Sequence, residues 1–227
     1  MNRMKSLVGI AQTEVLDFLH TNKELLFNER DFQMHLATHL RTNSKFEDVD
    51  VEYFVPAEEL ENYPWINRSK KKAELRLDIL VRKGEEFLPI ELKYKTKRVE
   101  KELSRFEESI PKVEVLKNHG AQDLGMYDFW KDVHRIELVR RRFKNVQNGL
   151  AVFLTNDPLY TKQPRNNSNN FLLSMGAGIH GRDKHWQQSE STCAKTHPNF
   201  EVEKDYEICW ENVTIEGITF YYCIVKI

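Results

Sequence analysis

The chain has 227 residues, of which 40% are hydrophobic and 30% charged, with a formal net charge of −1. That length and apolar content suffice for one globular domain with a sizeable core. The near-neutral charge excludes a surface coated with positive potential, so any affinity for nucleic acid has to come from local basic patches.

Leu7, Ile10, Ala11, Val15, Phe18 and Leu19 recur at helical spacing and predict a helix over 5–20. A second helix is predicted from Asn28 as N-cap, with Asp31 at N3 and the stripe Phe32, Leu36, Leu40. Strands are predicted at Val49–Val55, Ala73–Val81 and Phe87–Tyr94, with a polar loop over 56–72 between the first two. Residues 99–118 read as helical with an interruption at Pro111, and Met126, Phe129, Trp130, Val133 and Ile136 predict a long helix over 121–143. The continuous apolar run Leu150–Leu154 reads as a buried strand.

Residues 156–205 lose periodicity and include the polar tract Asn166–Asn170, so an irregular insertion is expected there. Tyr206–Trp210 and Ile218–Ile227 read as closing strands whose partners the sequence does not assign. A helical crossover between the third strand and Leu150–Leu154 predicts an α/β fold: a mixed β-sheet flanked by helices, in a single domain spanning 1–227.

Cys193, Cys209 and Cys223 include no C-x-x-C spacing, so no disulfide framework is expected and the cytoplasm is the expected compartment. Met1–Gly9 has no apolar leader, and no apolar run approaches the ~18 residues of a membrane span, so neither targeting segment nor membrane contact is expected.

The chemistry concentrates in the segment from Glu74 to Tyr94, where Asp78, Glu91 and Lys93 stand in the pattern D-x12-E-x-K. Lys83-Gly84-Glu85 is the natural turn. Antiparallel pairing about Gly84 and Glu85 sets Asp78 opposite Glu91 and Arg76 opposite Lys93, with Cβ atoms about 5 Å apart. Leu75, Leu77, Ile79 and Val81 then share one face with Leu88, Ile90, Leu92 and Tyr94, while Asp78, Glu91 and Lys93 share the other.

Two adjacent carboxylates raise each other's pKa unless a cation lies between them, and a hard divalent ion meets that need. On the residues alone a second interpretation stays open: a solvated hairpin whose charges pair across strands, each pair worth only a few tenths of a kcal/mol.

Asp78, Glu91 and Lys93 resemble the signature of the PD-(D/E)xK, or restriction-endonuclease-like, nuclease superfamily, over roughly 25–155. The position before Asp78 is Leu77, where the family pattern has proline. The resemblance implies that Asp78 and Glu91 bind Mg²⁺, with Mn²⁺ able to substitute. It also implies that Leu92 lends a backbone carbonyl and that Lys93 assists the attacking water. Glu29, at the start of the second helix, would support the metal, and Gln33, one turn later, would contact substrate or water. The implied activity is phosphodiester hydrolysis with DNA as the expected partner; a catalytically inactive member of the fold that binds nucleic acid or protein is the alternative. A homodimer is among the arrangements left open.

Lys95 and Lys97 extend the Glu91/Lys93 face and are expected to hold phosphates. Further basic runs occur at Lys70–Lys72 and Arg140–Arg142; the latter ends a helix, where cations are favoured anyway. Asp128, Asp132 and Arg135 share a helix face and read as an ion-pair network. His35 and His39 lack the glutamate of a zinc-protease motif, and one cysteine near His180, His185 and His197 does not make a four-ligand zinc set. No glycine-rich phosphate loop and no G-x-S-x-G occurs.

Overall fold

The computed structural model describes residues 6–65 and 74–227, so the Lys70–Lys72 run lies outside the described residues. Two helices open the chain, α1 (Leu7–Thr21) and α2 (Glu29–Thr42). Asn28 caps α2 by accepting from the Asp31 amide, and Asp31 returns a carboxylate oxygen to the Phe27 amide. Strands β1 (Asp48–Pro56), β2 (Glu74–Lys83) and β3 (Glu86–Lys95) follow as an antiparallel meander.

Next come β4 (Val99–Arg105) and β5 (Glu108–Leu116), then the long helix α3 (Gln122–Arg142) and β6 (Leu150–Thr155), parallel to β3. The remaining elements are β7 (Gly178–His180), β8 (Asp183–Lys184), α4 (Thr192–Thr196), β9 (Phe200–Glu201), β10 (Tyr206–Ile208), β11 (Glu211–Ile215) and β12 (Ile218–Lys226). The main sheet runs β1-β2-β3-β6-β12-β11 and is antiparallel except at β3/β6. The architecture is therefore mixed α/β, a mostly antiparallel sheet flanked by helices. No helix among the described residues is long and apolar enough to cross a membrane.

Each face of the sheet has its own core. Leu150, Val152 and Leu154 pack with Ile90, Leu92, Tyr94, α1 and α2 on one side. Ala151 and Phe153 pack with Met126, Phe129, Trp130, Val133 and Ile136 of α3 on the other. Coverage on both faces explains the uninterrupted apolar run of β6. Gly149 lets α3 lie close, because a Cβ there would stand 2.3 Å from Ile136 Cγ2.

Three expectations are corrected. Residues 99–118 form a hairpin rather than a helix: Val99, Lys101 and Leu103 alternate with polar neighbours, and Phe106 and Glu107 turn the chain at φ 53° and 66°. A turn with two left-handed residues normally advertises itself with Asn or Gly, and here neither is present. Leu75 and Leu77 leave the face of Ile79 and Val81 and pack instead with Leu80, Leu138 and Val139. Arg76 is not opposite Lys93, since the β2–β3 ladder ends at Ile79/Ile90; it donates to the Glu52 carbonyl and lies over the Phe54 ring.

The region 156–205 is built from short elements laid against α3. Tyr160, Leu173, Met175, Trp186, Phe200 and Val202 share its core. This cover leaves α3 buried on most of its circumference, including Asp132, His134 and Glu137.

Candidate active site

The β2–β3 hairpin turns at Gly84, φ +60°, with Lys83 paired to Glu86, and that register sets Asp78 against Glu91. Backbone pairing stops one residue short of the two acids, and their side chains continue it. Asp78 Oδ2 accepts the Leu92 amide at 2.6 Å, and Glu91 Oε2 accepts the Asp78 amide at 3.4 Å.

On the other side of β2 the β1 ladder keeps its register but skips one pair. The β1–β2 register passes from Val51/Ile79 to Tyr53/Leu77, and Glu52, between them, adopts φ +53°. That conformation costs a non-glycine residue about 1–2 kcal/mol. Buried Gln33 braces it: its amide nitrogen donates to the Asp78 carbonyl at 2.7 Å and to Glu52 Oε1 at 2.9 Å. Gln33 thus holds the backbone of the site, with both amide protons spent within the protein.

The polar face of the hairpin is roofed by α3. Asp132 reaches Lys93 Nζ at 2.6 Å, and Arg135 Nη1 lies 3.1 Å from Asp132 and 3.8 Å from Glu91 Oε1. Glu91 and Asp132 are each 2% exposed, and Glu91 Oε1 has no hydrogen-bond partner among the described residues. Asp132 and Arg135 were expected only as an ion pair on their own helix. The signal of something more was present, because Asp132 stands three residues after Phe129 and four before Ile136, a core position of the stripe.

Burial raises the Asp78 carboxyl to about 6 against the opposing pull of Lys93. Burial, Asp132 and Asp78 together push Glu91 well above the ordinary carboxylate range. Burial disfavours the charge on Lys93, but Asp132, Glu29, Asp78 and Glu91 outweigh it and raise its pKa. Asp132 goes the other way: burial is overcome by Lys93 and Arg135, which hold the carboxyl low. The cluster therefore contains a firmly protonated lysine, an ionised Asp132, and two carboxyls that burial keeps poised to take a proton or a cation.

Asp78, Glu91 and the Leu92 carbonyl form an all-oxygen donor set, the kind a hard divalent ion prefers. Asp78, Glu91 and Asp132 bring three carboxylates against the two cations Lys93 and Arg135, and Glu91 Oε1 is a buried oxygen with no hydrogen-bond donor among the described residues. By donor type these residues could hold Mg²⁺ or Mn²⁺. The Leu92 carbonyl already accepts from Lys93 Nζ at 3.2 Å.

The other expected residues are arranged around this centre. Glu29 Oε2 accepts the Tyr94 amide at 2.9 Å, which anchors the first turn of α2 to β3. Among the described residues, acid and histidine side chains close enough to share an ion form two groups of three, Glu14/Asp17/His39 and Asp183/His185/Glu201; neither includes Glu29 or the Asp78–Glu91 pair. Lys95 is half-buried at the open end of β3. Lys97 is committed to the buried Asp157 at 3.1 Å, with its backbone tied to Asn156. No protein-family model, curated protein or solved structure matches the chain.

Proposed function

We propose that the chain is a metal-dependent nuclease with a restriction-endonuclease-like core, hydrolysing phosphodiester bonds in DNA. The observation that carries this reading is the buried carboxylate of Glu91, with Oε1 unpartnered among the described residues, next to the half-buried Asp78 and the protonated Lys93. An acid with no donor on a buried oxygen is costly to fold, and a role in holding a cation accounts for it. The order of elements, helices, antiparallel hairpin and helical crossover to a parallel strand, supports the same class.

In this reading Asp78, Glu91 and the Leu92 carbonyl hold Mg²⁺, which when bound polarises the phosphoryl oxygens and acidifies a water. Lys93, kept protonated by Asp132, serves as an ammonium facing the developing charge and not as a general base. Gln33 and Glu29 brace the two strands that carry the acids. Of Lys95 and Lys97, Lys95 is the one placed to meet a phosphate, since it makes no ion pair among the described residues and Lys97 is bound to Asp157.

Purified protein should cut DNA with Mg²⁺ or Mn²⁺ and stop on chelation. Asp78→Ala and Lys93→Ala should each slow cleavage by about 100-fold or more. Full rate in either variant would overturn the assignment.

One observation favours a second reading, a catalytically inactive member of the fold that binds nucleic acid or protein. Lys93 and Arg135 already compensate the acids internally. Calorimetric titration separates the two: a nuclease takes up Mg²⁺ or Mn²⁺ in a way that Asp78→Asn abolishes, and an inactive module takes up neither.

A further inference from the structure

The region 156–205 builds a second polar enclosure. A cavity of about 590 Å³ lies between α3, the segment around Asn62 and Pro64, and the paired strands β8 and β9. Pairing of β8 with β9 sets Asp183 beside Glu201, and His185 follows β8 directly. The ligand atoms of Asp183, His185 and Glu201 all lie within 4.8 Å of one another, and His185 and Glu201 also line the cavity.

A second feature of the same cavity is a buried histidine backed by a carboxylate. His134 of α3 lines it while being 8% exposed, and its Nδ1 makes no hydrogen bond among the described residues. That nitrogen lies 3.4 Å from Oε2 of Glu137, which is fully buried. Glu137 is itself locked, since its Oε1 accepts from the Glu203 amide and the Tyr206 hydroxyl, each at 2.8 Å. A histidine backed by a fixed carboxylate is the arrangement that orients an imidazole toward a metal or its bound water.

We propose that Asp183, His185 and Glu201 bind a divalent transition-metal ion of the zinc class, with its remaining coordination positions open to the cavity that His134 lines. One imidazole with two carboxylates favours such an ion over Mg²⁺ or Ca²⁺, which take oxygen ligands. Three protein ligands leave room for water or a small anion, the pattern of an open site and not of a closed structural one. Arg182 stands 3.5 Å from Glu201, but both side chains are more than half exposed, so the pair is weak and yields to a metal. The Glu14/Asp17/His39 group differs: the Asn43 amide already contacts both Glu14 Oε2 at 2.7 Å and His39 Nε2 at 3.0 Å.

The assignment is independent of the nuclease reading and is tested with the other site disabled. Metal-free full-length Asp78→Asn protein is titrated with Zn²⁺ by calorimetry and with Co²⁺ by visible absorption. One saturable equivalent is expected, with a ligand-field spectrum, no competition from excess Mg²⁺, and slower amide exchange across 183–201. His185→Ala and Glu201→Gln, both at solvent-reached positions and checked for folding by circular dichroism, should each abolish or strongly weaken that equivalent. Absence of saturable binding, or binding that survives in the His185→Ala, Glu201→Gln double variant, would overturn the proposal.

Discussion

At their centre the two faces of β3 are both dry, and they do opposite things. Ile90 and Leu92 are fully buried against α1, α2 and β6, and each gains from leaving water. Glu91, between them, is 2% exposed on the opposite face and loses its hydration, with Arg135 at 3.8 Å and Lys93 nearby as its compensation. The difference teaches that burial alone says nothing about stability: the apolar face holds the strand in place, and the charged face is held up by it.

The sharpest way to break this comparison is to remove a cation from the charged face. Arg135→Ala should destabilise the protein by about 3–5 kcal/mol in urea unfolding, because Glu91 and Asp132 lose a buried partner. Adding Glu91→Leu should recover much of that loss. Ile90→Ala on the other face should cost about 2–5 kcal/mol and show no rescue by any charge change, since its loss is transfer and cavity.

A middle-sized effect should follow from pH. The Asp78 carboxyl is raised to about 6 in the folded protein, against about 3.9 in an unfolded chain. Between those values the folded state holds the proton more tightly, so this group's stabilisation is full in acid and is lost as pH rises through 6. Thermal or urea unfolding in chelator should therefore show stability falling across that window. Asp78→Asn should flatten the fall and be more stable near pH 8 by on the order of 1–2 kcal/mol. Added Mg²⁺ should reverse the wild-type trend, because an ion takes the place of the proton.

The smallest change in stability is expected at the open end of the charged face. Lys95→Ala should alter stability by less than about 0.5 kcal/mol. Measured against salt, its DNA affinity should fall with a slope shallower by about one, the signature of a lost phosphate contact. An unchanged slope would remove Lys95 from the proposed DNA path.

Much of the site was legible in local chemistry. Gly84 with its alternating flanks set the hairpin register, and the caps and stripes located α1, α2 and α3 to within a residue or two. The β4–β5 hairpin was not legible, because Glu, Lys and Leu favour a helix in isolation and the Phe106-Glu107 turn carries no residue typical of left-handed backbone.

Sequence alone determined which residues could do chemistry, Asp78, Glu91 and Lys93 at fixed spacing on one hairpin, since strand periodicity is a local property of the backbone. Tertiary structure decided what those residues are: it laid α3 over a face that periodicity presents as open, brought Asp132 and Arg135 onto it, ended the β2–β3 ladder at Ile79/Ile90, and braced the Asp78 carbonyl and the Glu52 side chain with Gln33. It also brought Asp183, His185 and Glu201 together across a stretch with no periodic signal. Charge energies depend on distance and on the loss of water, and both are set by packing partners far away in the chain.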